Sequence, residues 1–356
     1  MLPFVRDGAQ RASGHHDSRP SPRAPDGDRA ATFRSVLLRG SAAIGLGVLL
    51  TVNAAGVASA HGPQDTSSSD RVATQFRVGN RVSRNGVTLT APARGGFAWG
   101  EVLFQDGTAR ELMLETDSDG RVFTRDLGSE RQAAGADPGT TGQGASSQAD
   151  YDEGLAGGRT SSECASRSYY SYPWRIPSYR WSLQSASIPW YLRGRTNGTL
   201  YVLNQLKYAA SNITGADNVC GRGDYISATH TFLGYTSRSN NISTGASCTG
   251  GDGYSVVNFG YLPSGVLGMA CAYGTSGGVA REGDVRMNLR ARWETLPGWC
   301  SSETLIQAAM THEFGHVFGL GHVYSSPQTM NPYVPNCSLS PTTLGMGDLT
   351  GFESKY

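Results

Sequence analysis

"THEFGHVFGLGHVYSSPQTMNP", residues 311–332, places His312, His316 and His322 close together in a chain that holds only seven histidines. His312 and His316 are one helical turn apart, so on a helix both imidazoles leave the same face. A helix over residues 303 to about 318 is expected, with Ser301 and Ser302 as N-caps and Glu303 favourable in the first turn. Ile306, Met310, Phe314, Val317 and Phe318 fall at the spacing of a buried stripe along its other side. His322 cannot stay on that helix and share an ion with the other two, because six residues of helix would carry it about 9 Å along the axis. Gly319 stands where a left-handed cap would end the helix, and Leu320-Gly321 can then swing His322 back.

Three neutral imidazoles leave a tetrahedral zinc with one open position, which takes a water whose pKa falls to about 7. Glu313, beside His312, is angled to reach that water without ligating the metal and is the candidate general base. A bare H-E-x-x-H also occurs by chance, one histidine capping a helix and the other packing. Here the glycine, the third histidine and Met330, followed by Asn331-Pro332, multiply the constraints.

H-E-x-x-H-x-x-G-x-x-H followed by a methionine turn resembles the signature of the metzincin metallopeptidases, and the chain is similar to their matrixin branch in its compact bacterial form. The resemblance runs from about residue 180 to 356. In order, "NFGYLPSGVLGMA" resembles the family's central and substrate-binding edge strands, "REGDVRMNLRARW" the strand after them, "TMNPY" the methionine turn and "LGMGDLTGFESKY" the closing helix. It implies that His312, His316 and His322 hold one catalytic zinc, that Glu313 is the catalytic carboxylate and that Met330 is a hydrophobic floor beneath the metal. Residues 265–273, Gly268 and Ala270 among them, would pair with an extended peptide by strand addition. Pro332 and Tyr333 would form part of the pocket wall. Pro332 also stands where the astacin and serralysin branches carry a tyrosine, which favours the matrixin branch.

The departures are as specific. Met269 and Arg286 occupy positions where animal matrixins have histidines for a second, structural zinc, so that site is expected to be absent. Val323 replaces a serine after the third histidine. The paired aspartates of the closing helix are reduced to Gly347-Asp348, and no "PRCG" precedes the domain, so latency imposed from residues 61–160 needs something other than a thiolate. Cys300 precedes the active helix and Cys337 follows the methionine turn; a bridge between them would brace the site.

Length and composition set the frame. At 356 residues with 30 Lys and Arg against 29 Asp and Glu, scattered, the chain gives no sign of a nucleic-acid or anionic-membrane partner. All six cysteines, from Cys164 onward, lack a close C-x-x-C pair, which suggests disulfides and an oxidising compartment, the pairing left open. The uncharged stretch "GSAAIGLGVLLTVNAAGVASA" ends in a small-x-small cleavage pattern, so residues 1–60 read as a signal segment, with a membrane anchor as the lesser reading. Residues 61–130 read as a small β-rich prosegment with hairpin turns at Asp106-Gly107 and Asp119-Gly120. Residues 131–163 read as a flexible linker and 164–356 as the peptidase domain. Within the latter, "SIPWYL" (187–192) and residues 255–262, 265–273 and 283–288 are strand candidates and 200–211 a helix, making the fold class α+β: a metzincin-like catalytic domain of mixed sheet, active-site helix and C-terminal helix.

The reading is a secreted monomeric zinc endopeptidase acting on extended polypeptides, with no stable membrane association after processing. An exported module that keeps zinc for shape or binds peptide without cutting it is the alternative, which Glu313 argues against. Ser276 in "GTSGG", with His230 as base, is a lesser serine-hydrolase reading, since no helix pattern follows Ser276. Asp252 and Asp284 are calcium candidates, for which turn chemistry serves equally well. Arg222-Gly223-Asp224 reads as a loop, and "YYSYPWRIPSYRW" as a segment packed onto the domain.

Overall fold

The structure is a computed structural model that describes residues 71–125, 127, 161–194, 198–324 and 328–356. The signal segment expected over 1–60, and residues 131–160 of the expected linker, lie outside the described residues. The first half of the described chain is a run of strands: β1 (Arg71–Ala73), β2 (Arg81–Arg84), β3 (Val87–Thr90), β4 (Gly96–Phe104), β5 (Ala109–Thr116) and β6 (Val122–Arg125). The second half alternates: β7 (Ser178–Leu183), α1 (Gly198–Thr214), β8 (Thr229–Tyr235), β9 (Ser255–Gly260), β10 (Val266–Thr275), β11 (Val279–Asn288), α2 (Ile306–Val317) and α3 (Met346–Glu353). The fold is α+β, as expected.

Among the described residues, nine strands form one mixed sheet in the order β1-β6-β5-β4-β10-β11-β9-β7-β8. The β4–β5 and β5–β6 connections are antiparallel hairpins whose turns carry Gly107 and Gly120 at φ 81° and 84°, a conformation that glycine adopts without a Cβ penalty. At the other end β11, β9, β7 and β8 run parallel; β9 is buried along almost its whole length, whereas β7 and the edge strand β8 alternate between inward and exposed residues. Side chains alternate across the sheet. On β4, Phe97, Trp99 and Leu103 join the core that also holds α1 and α2, while Ala98 and Val102 join a second core capped by Val82, Val87 and Leu89 of the small β2–β3 sheet.

The junction between the halves is itself a β ladder. β4 pairs antiparallel with β10 along almost its whole length, so residues 71–125 extend the sheet of the residues after them and share both cores with it. The strand that the resemblance marks as a peptide-binding edge is therefore not an edge in this chain: β11 lies on one side of β10 and β4 on the other.

Two local expectations are corrected. Residues 187–192 are not a strand; Ser185–Ser187 is a tight turn of helix and Trp190–Arg193 a short helix that begins after Pro189, which cannot donate to a ladder. The strand lies earlier, in β7, where Tyr179, Trp181 and Leu183 alternate inward. The active helix starts at Ile306 rather than 303, and neither serine caps it. The Glu303 carboxylate instead accepts the Ser301 and Ser302 N–H groups at 2.8 and 2.9 Å, and Thr304–Leu305 pairs with Trp293–Glu294.

Three disulfides join Cys164 to Cys220, Cys248 to Cys271 and Cys300 to Cys337, the last being the anticipated brace. Among the described residues no helix is long and apolar enough to cross a membrane. The aromatic segment does pack inward: Tyr172 and Trp174 stack on each other with ring centroids 4.3 Å apart, and Trp99 of β4 lies tilted against them at 5.0 and 5.2 Å.

Candidate metal centre

Every residue of α2 is buried, so the helix that carries His312 and His316 has no solvent face. It ends where anticipated. The Gly319 N–H bonds to the His316 carbonyl at 2.9 Å and the glycine turns the chain at φ 100°, a position where a Cβ would collide with the Trp174 carbonyl. His322 returns to the two helical histidines, and the three Nε2 atoms stand 3.0, 3.1 and 3.2 Å apart.

The far side of each ring is occupied. His312 Nδ1 bonds the Thr329 carbonyl at 2.7 Å and His316 Nδ1 the Leu320 carbonyl at 2.8 Å, which keeps their protons on Nδ1 and turns bare Nε2 lone pairs toward the cluster. His322 Nδ1 has the Glu111 carboxylate at 2.6 Å, and the other oxygen of Glu111 accepts the Tyr172 hydroxyl at 2.6 Å. Glu101 of β4 completes the group, its oxygens 3.3 Å from the Nε2 atoms of His316 and His322.

Burial holds His312 down to about 3 and His316 well below the usual imidazole range, with the charge on His322 adding to both. Burial also pulls His322 down, but the carboxylates of Glu111 and Glu101 outweigh it and lift that ring to about 9. The cluster can accept one cation at its centre, a proton on His322 or a metal in its place. The donor set fits zinc: one atom each from His312, His316, His322 and Glu101 can face a common ion, and ligand atoms around tetrahedral zinc at 2.0–2.1 Å stand about 3.4 Å apart.

Glu313 lies on the β10 side of the cluster, where a Cβ added to Gly268 would strike its carboxylate oxygen. Neither of its oxygens has a hydrogen-bond partner among the described residues, and burial, reinforced by the nearby charge of Glu101, raises its carboxyl well above the usual range. A buried carboxylate held without a donor, beside a metal-type donor set, is poised to accept a proton. Ala270 is fully buried in β10 and stands opposite Glu101.

Met330 is fully buried against α2, where a Cβ on Gly315 would meet its sulfur. Asp348 fixes this turn by accepting the N–H groups of Thr329 at 2.8 Å and Met330 at 3.3 Å, so the single aspartate of α3 has a definite task. Pro332 is buried and Tyr333 half-buried beyond it, and the β4–β5 turn reaches them: a Cβ on Gly107 would lie 2.9 Å from the Tyr333 Cβ.

Three residues of this centre escaped the sequence reading: Glu101, Glu111 and Trp99, whose ring lies 5.4 Å from that of His316. The one local signal was an isolated acid inside the otherwise apolar run "FAWGEVLF". The serine-hydrolase pair is not brought together. Ser276 sits in the β10–β11 hairpin, its N–H donating to the Gly95 carbonyl at 2.8 Å, whereas His230 lies on β8 with Ser211 at 3.1 Å. Asp284 accepts the N–H groups of Val256 and Asn241, Asp252 closes a turn onto the Tyr254 N–H, and Arg222 pairs with Glu353. Met269 and Arg286 face each other across β10 and β11.

The sequence model of the family described as Matrixin matches residues 261–356, which takes in β10, β11, α2, all three clustered histidines and α3. No curated protein matches the chain.

Proposed function

From the premise that the carboxy-terminal part of this chain is a matrixin-like metzincin, we propose that it is a secreted zinc endopeptidase in which His312, His316 and His322 hold the ion and Glu313 is the general base. The single observation that carries this reading is the convergence of three Nε2 atoms within 3.2 Å of one another beside an unpartnered buried carboxylate. A bound zinc would supply Lewis acidity to a water and to the scissile carbonyl. Glu313 takes the proton from the attacking water and delivers it to the departing amine. β10 supplies the backbone ladder for an extended substrate at Gly268 and Ala270, Pro332 and Tyr333 wall the pocket, and Met330 keeps the floor apolar. Residues 1–60 direct export, 61–130 are a prosegment, 131–163 a linker and 164–356 the peptidase.

One observation favours the non-catalytic alternative: a fourth side chain, Glu101, stands at the cluster, and a closed donor set is the mark of a structural site. Glu313→Ala in the secreted protein decides between the two. The peptidase reading expects one zinc per chain in both proteins and a loss of casein hydrolysis of about a hundredfold or more in the variant. Retained zinc with undiminished casein cleavage removes Glu313 from the mechanism.

A further inference from the structure

Glu101 and Glu111 stand directly opposite each other on β4 and β5, and alternation along each strand turns both toward the histidines. Two carboxylates facing each other across a ladder repel, and burial makes that repulsion larger. Little in local strand chemistry asks for either acid: the other residues on that face of β4 are Phe97, Trp99 and Leu103, and those of β5 are Ala109, Met113 and, at its end, Glu115, which is paired with Arg125. Glu111 is engaged by His322 Nδ1 and the Tyr172 hydroxyl. Glu101 is fully buried, its oxygens have no hydrogen-bond donor among the described residues apart from the clustered imidazoles, and they lie 3.3 Å from the Nε2 atoms of His316 and His322.

The strand carrying Glu101 covers the rest of the site. Its residues 96–104 run antiparallel along β10, placing Glu101 opposite Ala270 and Leu103 opposite Gly268. These are the positions at which a peptide substrate would pair, and the β4–β5 turn meanwhile rests on Tyr333, the residue proposed to wall the pocket. One hairpin therefore occupies both the ladder and the pocket wall.

Building on the zinc peptidase reading, we propose that Glu101 is the fourth protein ligand of the metal and that β4 is the resident occupant of the substrate strand, so that the uncleaved chain holds its own centre closed. The carboxylate takes the coordination position that water needs, and Trp99, wedged among Tyr172, Trp174 and His316, locks β4 in that register. Loss of residues 71–125 opens the fourth position and bares the β10 edge together. Latency in this chain is thus carried by a carboxylate on a paired strand.

The wild-type full chain tests this without any variant. In a crystal of the zinc-loaded chain, anomalous scattering is expected to place the ion on the three Nε2 atoms with a Glu101 oxygen at the 2.0–2.2 Å of a zinc–carboxylate bond. An ion on the histidines but more than about 3 Å from both Glu101 oxygens overturns this proposal and leaves the peptidase reading standing; an ion elsewhere overturns that reading. In solution, zinc competition against a chromogenic chelator is expected to show affinity reduced about tenfold or more in Glu101→Gln, because even outer-shell partners of a metal are worth that much. Equal affinity of the folded variant counts against the proposal. Hydrolysis of a fluorogenic peptide by the intact wild-type chain is expected to lag until the amino-terminal segment is cut, as followed on a gel. Full-rate product from undegraded chain would also overturn it.

Discussion

Met330 lies against Gly315 so closely that a Cβ at position 315 would overlap the methionine sulfur. The contact fixes the height of α2 above the methionine turn, and with it the two helical imidazoles relative to Thr329, which holds His312 through its carbonyl. Gly315→Ala introduces one methyl group into a site where both partners are fully buried. The variant is expected to lose about 1–3 kcal/mol of stability by overpacking and to bind zinc more weakly, measured by urea unfolding and chelator competition. Unchanged values in both would mean that the methionine turn does not set the position of the helix.

The bridge between Cys300 and Cys337 ties the approach to α2 to the segment after the methionine turn, and the Cys337 N–H also bonds the Glu303 carbonyl at 2.9 Å. Its closed loop spans 37 residues, for which chain entropy predicts about 4 kcal/mol. Replacing both cysteines by serine is expected to lower the unfolding free energy by an amount of that order. A double variant as stable as the parent would show that the bridge is redundant with the hydrogen bond beside it.

Glu303 gives a pH dependence of definite sign. The N–H groups of Ser302 and Ser301 hold its carboxyl at about 2, against about 4.3 for a free glutamate. Between those values the unfolded chain binds more protons than the folded one, so stability rises with pH. The contribution is complete above the unfolded value and disappears as pH falls toward 2. Glu303→Gln should therefore melt below the wild type near neutrality, with the gap closing as pH is lowered through that window. A gap in melting temperature that stays constant from neutral pH down to about pH 2 would contradict the assignment.

How much of the fold and the candidate metal centre was legible depended on how local each feature was. The three histidines, Glu313, Gly319 and Met330 lie within one turn of helix, one loop and one turn, so spacing alone placed them. The α2 start was misread because Ser301-Ser302-Glu303 has the composition of a capped helix, yet the Thr304–Leu305 pairing with Trp293–Glu294 delays helix entry by a few residues. Glu101 and Glu111 were out of reach for a different reason. Each acid sits in an ordinary hairpin strand, and its meaning comes from the pairing of β4 with β10, a long-range choice of partner that hydrophobic alternation does not encode.

The same pairing shapes how the chain acquires its fold. β4 finds β5 at once across a short turn, but its other flank waits for β10, nearly half the chain away, and Ala98 meets Tyr273 only when both have left the ribosome. Contacts so distant in sequence come at a high loop-closure cost and form slowly. In the interval an unfinished ladder bearing Phe97, Trp99 and Leu103 is bare, and β4 is the part of the chain most open to wrong strand pairing.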